Sequence, residues 1–401
     1  MTIAITITLC VLILLAYAFD LSSKFTKIPT VIFLLIMGAI LQKVSVYLAI
    51  DLPDLKPILP VLGTVGLILI VLEGGLDLEI NRSKVGLLKK AALSASFPML
   101  VLLFLLSYAF FYLSGNSVVN SILNAIPFCV ISSAIAIPSV HNISSSNREF
   151  VIYESSFSDI IGVILFNFFV ASEIINTHSF TEFFFHLLLM FAISFVASIG
   201  LAFLIKKIDH HVKFVPILMV IILIYFISKI YHLPALIFIL IFGLFLNNLD
   251  ELRNKPLIKP LEPEKLDLEV RRFKEIVIEF TFLIRTVFFL LFGFLINLES
   301  LLNTDSLRIA AAIVVCILLI RYLQLKIFNI SLSPLLWVAP RGLITVLLFL
   351  SIPLHRKIPF VNESLVIQVV LLSVLVMMFG MMFHKPQNST ENISHESNKL
   401  E

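Results

Sequence analysis

Thirteen apolar runs, each about 17 to 25 residues long, fill nearly the whole of this chain. Their centres lie near residues 11, 38, 67, 101, 128, 163, 194, 221, 241, 286, 319, 344 and 373. A run of this length and polarity crosses a bilayer, and it can satisfy its own backbone hydrogen bonds there only as a helix. The chain therefore reads as an all-α polytopic membrane protein with about 13 transmembrane helices. Composition agrees: 59% of the 401 residues are hydrophobic and 14% are charged, against roughly 25% charged in a soluble domain. The first run starts at Met1 with no basic segment and no small-residue cleavage site, so it counts as a span rather than a leader. The runs VPILMVIILIYFI and LPALIFILIFGLF are parted only by SKIYH and are the pair most easily miscounted.

Lysine and arginine set the orientation. One set of alternate loops carries Lys24, Lys27, Arg82, Lys84, Lys89, Lys90, Arg148, Lys206, Lys207, Lys213 and the basic residues of 253–274. The other carries only Lys43, Lys56, Lys229, Arg308, Arg356 and Lys357. The basic set faces the cytoplasm, which puts the N-terminus outside and the C-terminus inside a cell (inner) membrane. Residues 1–384 are expected to form one membrane domain, and the polar tail 385–401 a short cytoplasmic extension. The charged, proline-bearing stretch 250–275 reads as a solvated connector. Cys10, Cys129 and Cys316 show no metal or disulfide spacing. There is no Walker motif, GxGxxG, HExxH or GxSxG and no basic–aromatic stripe, so neither a cofactor, a nucleotide-driven pump nor a nucleic-acid partner is indicated.

Charges inside the runs carry the function, because each is costly in hydrocarbon. They are Glu73 at the end of the third run, Glu154 and Asp159 in the sixth, Arg285 in the tenth, Arg321 in the eleventh and Arg341 in the twelfth. Glu73, in LEGGLDLEI, reads first as an interfacial acid and second as an ion ligand. Two runs are interrupted: the fifth at ISSAIAIPSVHNIS, with Ser132, Ser133 and Pro138, and the twelfth at PLLWVAPRGLITV, with Pro340, Arg341 and Gly342. They stand seven spans apart. Two inverted six-helix repeats around a central seventh would make them equivalent, with the broken helices crossing beside a midplane ion site.

These residues resemble a known family, the monovalent cation:proton antiporters of the sodium/hydrogen exchanger superfamily. ESSFSDIIG is similar to the E-S-x-x-N-D-G motif of its electroneutral branch, WVAPRGLITVLLFLSIP to the G-x-R-G segment, and LLIRYLQL to the eleventh-span segment with a basic residue. VLEGGLDLEI resembles the F-E-G-G-L element, and IPTVIFLLIMGAIL the proline-initiated second span. Ser158 stands where the motif has asparagine, and SSAIAIP lacks the aspartate that many relatives carry in the fifth span. The resemblance implies that Asp159 binds either a cation or a proton, with Ser158, Ser132 and Ser133 as neutral ligands. It also implies a homodimer in lipid.

Asp159 and Glu154 lie about 140° apart around a helix, which suits different tasks. Glu154 is expected to pair with Arg341, tying the sixth span to the twelfth, with Arg321 tuning the site. Exchange of Na+ (or Li+ or K+) for H+ is then expected to be electroneutral and to serve pH homeostasis. A potassium/proton efflux antiporter is the alternative. A membrane-embedded enzyme or a channel follows at a distance, since the histidines lie mostly in loops and the external loops are short.

Overall fold

The computed structural model describes residues 10–19, 21, 30–48, 55, 57–80, 82–140, 143–172, 177–208, 210, 212–231, 233, 235–249, 263–295 and 303–383. Among them there is no strand. In chain order the helices are α1 (Cys10–Phe19), α2 (Thr30–Tyr47), α3 (Ile58–Asp77), α4 (Val85–Ser114), α5 (Val118–Cys129), α6 (Ser133–Ser139) and α7 (Ser145–Ala171). They continue as α8 (Thr177–Lys207), α9 (Phe214–Ile230), α10 (Ala235–Asn247), α11 (Pro263–Leu295), α12 (Thr304–Ile327), α13 (Leu343–Ser351) and α14 (Glu363–Met382). Each of the thirteen apolar runs has its helix, and the close pair parts cleanly into α9 and α10. The fifth run is split between α5 and α6, and the twelfth enters α13 only after the irregular stretch 330–342.

The connector expected at 250–275 is corrected in its second half. Residues 263–275 are the first turns of α11, opened by Pro263 at a position where a missing N–H costs nothing. Their charges hold a helix: Asp267 pairs with Arg271 and Glu269 with Arg272 along it, while Lys213 and Asp77 meet Glu269 and Lys274 from neighbouring elements. Residues 250–262, and the tail from residue 384, lie outside the described residues.

Packing sorts the helices into two groups. In one, α2 and α3 pack on α11, and α3 and α8 pack on α10. Gly38 and Gly293 let α2 and α11 approach backbone to backbone; a Cβ on either would run into the other helix's main chain. In the second group α4 lies on α5, α7 and α12, α6 on α7, and α12 on α14. The groups meet mainly where α13 and α7 touch α3, and α7 touches α10. The five residues that the sequence reading placed in spans six, eleven and twelve (Glu154, Ser158, Asp159, Arg321 and Arg341) are buried and belong to the second group, and so does Gln324.

Candidate functional site

A broken helix leaves amide and carbonyl groups without partners, and in a bilayer they must find them inside the protein. α5 ends at Cys129, Val130 and Ser132 are extended, and α6 begins at Ser133. The Ile131 N–H donates to Ser158 Oγ at 2.9 Å, and the Ser132 N–H donates to the carbonyl of Pro340 at 2.9 Å. The two breaks therefore cross. At the same crossing Arg341 donates from Nε to the carbonyl of Phe128 at 2.8 Å and from Nη2 to that of Cys129 at 3.4 Å. Its cation thus closes the C-terminal end of α5, where the helix dipole is negative. The Arg341 N–H is itself taken by Ser373 Oγ.

Asp159 lies on α7 against this crossing and is 4% exposed. Its Oδ2 accepts a hydrogen bond from Ser133 Oγ. Its Oδ1 is buried with no protein partner among the described residues, and so is Ser132 Oγ. Two oxygens of opposite capacity, a carboxylate and a hydroxyl, thus stand unsatisfied at the N-terminal edge of α6. Ser158 serves first as the acceptor that holds the break.

The expected Glu154–Arg341 pair is corrected. Glu154 pairs with Arg321, whose Nη1 lies 2.5 Å from Oε1, and Gln324 Nε2 donates to the same oxygen at 2.6 Å. Arg321 and Gln324 are three residues apart on α12, so they share a face and receive the carboxylate together. Arg321 also donates to Gln324 Oε1 and to the carbonyl of Leu335. Arg341 is unavailable because the carbonyls of the breaks, including Ala339's, absorb its donors.

Pro138 lacks the N–H that would bond the carbonyl of Ala134 in α6. That carbonyl instead accepts from Arg285 Nη1 at 3.3 Å, across from α11. Glu73 is half-buried beside Thr281 of α11 and within electrostatic reach of Arg285. The structure therefore brings Asp159, Ser158, Ser132, Ser133 and Arg341 together at the crossing. Arg285 reaches the crossing from the other helix group, with Glu73 behind it, while Glu154 and Arg321 form a separate pair.

Sequence reading missed Gln324, whose signal was its spacing from Arg321. It also missed Arg356, read as a loop charge. Arg356 is buried and donates to Asn120 Oδ1 and to the carbonyls of Val170 and Ser172. Asn124 adds bonds to the Arg356 carbonyl and the Ile358 N–H, so the segment after α13 is tied to α5 and α7.

Residues 10–385 match the transmembrane family described as sodium/hydrogen exchanger. No curated protein matches the sequence significantly. The fold is similar to that of the sodium proton antiporter MjNhaP1 from Methanocaldococcus jannaschii at pH 8, with a TM-score of 0.71 and 18% identity over 94% of this chain and 100% of that one. An electron-microscopy structure of the same antiporter gives a TM-score of 0.65 and 17% identity, covering 96% of this chain and 100% of that one.

Proposed function

Because the chain belongs to the sodium/hydrogen exchanger family, we propose that it is a secondary antiporter trading one monovalent cation, Na+ before Li+ or K+, for one H+ at Asp159. Cation/proton antiport follows from the family; the cargo, the site and the ratio are our reading. One observation carries it: Asp159 Oδ1 and Ser132 Oγ are both buried and unsatisfied at the crossing of two helix breaks. Alkali cations are hard and take oxygen ligands. A carboxylate, two serine hydroxyls and nearby carbonyls are such a set, and the carboxylate alone also takes a proton. Occupancy by one ion excludes the other, which is the requirement for exchange.

Alternating access follows from the two helix groups. The group with α4–α7 and α12–α14 would carry Asp159, and the group with α2, α3 and α8–α11 would be the scaffold it moves against. Arg285, on the scaffold side, holds the Ala134 carbonyl next to the site and is the contact that such a movement must break. Lipid surrounds the protein, a homodimer of scaffolds is the expected assembly, and the basic loops put the C-terminus in the cytoplasm.

The test is a proteoliposome assay with an imposed pH gradient and Na+, Li+, K+ or Rb+ added in turn. Saturable dissipation of the gradient by Na+ is expected. Flux that neither saturates nor couples to protons would mean a pore instead.

A further inference from the structure

A second site adjoins the crossing, with Asp159 outside its lining. A cavity of about 20 Å³ has Arg321 and Arg341 in its lining, with Ser158, Gln324 and a wall that includes Ala95 and Leu102. It exceeds the roughly 10–15 Å³ that one water needs, and so has room for one atom-sized guest. We propose that this cavity binds a small monovalent anion, chloride in ordinary media, held between the two guanidinium groups.

The first reason is the character of the polar lining. Arg321 Nη2 is buried and has no acceptor among the described residues. Ser158 Oγ accepts from Ile131 and keeps its own proton to donate. Gln324 Oε1 is taken by Arg321, and the Cys129 and Ala339 carbonyls are taken by Arg341. The walls thus offer two cationic donors, while each of these oxygens already accepts one bond. A halide accepts from every side, donates nothing and carries the charge that faces two guanidinium groups.

Charge is the second. Arg321, Arg341, Glu154 and Asp159 are the buried ions of this region, and Arg321 acts electrostatically on Arg341. Glu154 is matched by Arg321. Arg341 has only carbonyls, so once Asp159 holds its proton or cation the cluster carries one positive charge in excess. A buried charge without a counter-ion is strongly unfavourable, and one bound anion removes the excess. This charge count rests on Asp159 as the cargo site; the cavity and its donors do not. Polyatomic oxyanions exceed the space.

The test uses the full-length protein in detergent. The melting temperature should rise, with saturation, as chloride or bromide replaces gluconate at fixed sodium and ionic strength. Crystals grown in sodium bromide should show an anomalous bromine peak between Arg321 and Arg341. Ala95→Leu, which fills the space while leaving both arginines in the chain, should abolish the halide shift; Leu102→Phe serves if that variant does not fold. Equal melting in all anions, or water density without a bromine peak, overturns the proposal. Exchange surviving in Asp159→Asn would remove the cargo reading and leave the bromine peak to decide the anion site.

Discussion

The Ser132 N–H donates to the carbonyl of Pro340 at 2.9 Å, joining a break in the fifth membrane run to a break in the twelfth. Each interruption supplies a partner for a backbone group that the other leaves unsatisfied. A simple kink would leave the freed groups to be bonded locally, by a serine or a neighbouring turn. Here the bond crosses between halves of the chain, and the Arg341 guanidinium crosses the same way to Phe128 and Cys129. The two breaks are therefore one structural unit, and damage to either side should be felt by both.

Gly342 gives the sharpest test of that unit. A Cβ there would lie 2.6 Å from Ser132 Oγ, 3.0 Å from Ser132 Cβ and 2.5 Å from Ile135 Cδ1. Gly342→Ala should destabilise the protein by about 1–3 kcal/mol, the usual cost of forcing atoms into a filled core. Gly86→Ala has nothing within 4 Å and should be neutral or stabilising, since alanine favours a helix. Thermal melts of the two variants in the same detergent check the contrast. Equal effects would mean that the crossing tolerates separation.

Asp159→Asn should fold normally and exchange no ions. The side-chain oxygen of asparagine can still accept from Ser133, so the local structure keeps its bond. The amide cannot ionise, and it cannot hold a proton in competition with a cation. Exchange in liposomes should drop to the level of protein-free vesicles while the melting temperature stays close to the parent's.

Glu154 and Arg321 should behave as a coupled pair. Glu154→Leu or Arg321→Met strands one buried charge and should cost about 3–5 kcal/mol. The double variant should recover part of the loss, because no lone charge remains. Gln324→Leu removes one bond to a charged oxygen and should cost about 1.5–3 kcal/mol. Glu154→Leu combined with Arg341→Met should show no comparable recovery. Melting curves for the set separate these outcomes.

Much of this was legible in the sequence. Hydrocarbon forces each spanning run to be helical, so the helices and even the close α9–α10 pair followed from run length. The two breaks followed from proline, glycine and serine set within apolar runs. What could not be read was which buried cation takes which acid. Glu154 has two arginines to choose from, and the choice depends on how many carbonyls the crossing leaves for Arg341. That is a property of the packed backbone rather than of residue type. Arg356 was lost for a similar reason, since a charge in a short loop looks solvated until neighbouring carbonyls surround it. In 263–275 charge density concealed a helix that continues beyond its apolar part.

The Lys84 cluster should not be the source of any pH dependence near neutrality. Lys84 bonds Glu79 and Glu149 at 2.8 Å each. Those carboxylates push the Lys84 ammonium above its ordinary range, and hydrogen bonding and charge from Lys84 hold the Glu79 carboxyl below its own. The lysine's contribution is complete below its unfolded value near 10.4 and fades only as pH rises through the higher folded value. For Glu79 the contribution is complete above about 4.3 and fades as pH falls through the lowered folded value. Between about pH 5 and 10 the Lys84–Glu79 pair keeps one charge state. Lys84→Met should therefore leave the midpoint of the exchange–pH profile in place and change stability by no more than about 1 kcal/mol, since Glu79 is largely exposed. A shifted midpoint would assign the pH response to this cluster.

The number of charges moved per cycle depends on how many acids titrate at the site. Among the described residues Asp159 is the carboxylate placed at the crossing, and neither Ser158 nor the SSAIAIP segment adds an acid to it. In the proposed cycle one cation displaces one proton and no net charge crosses, so exchange should be insensitive to an imposed membrane potential. Glu73 is the residue that can change this ratio, because it is half-buried and shares Arg285 with the far side of the site. In the structure Arg285 stands between it and α6, bonded to Ala134 rather than leaving Glu73 open to the Asp159 oxygen. Glu73→Gln should therefore slow exchange through a disturbed Arg285 without altering its electrical silence. Solid-supported-membrane recordings with sodium jumps measure this directly. A sustained-charge transient in the parent with the sign of two protons per cation, lost in Glu73→Gln, would refute the one-for-one cycle. Silence in both, with pH-coupled sodium flux retained in the parent, is the expected result.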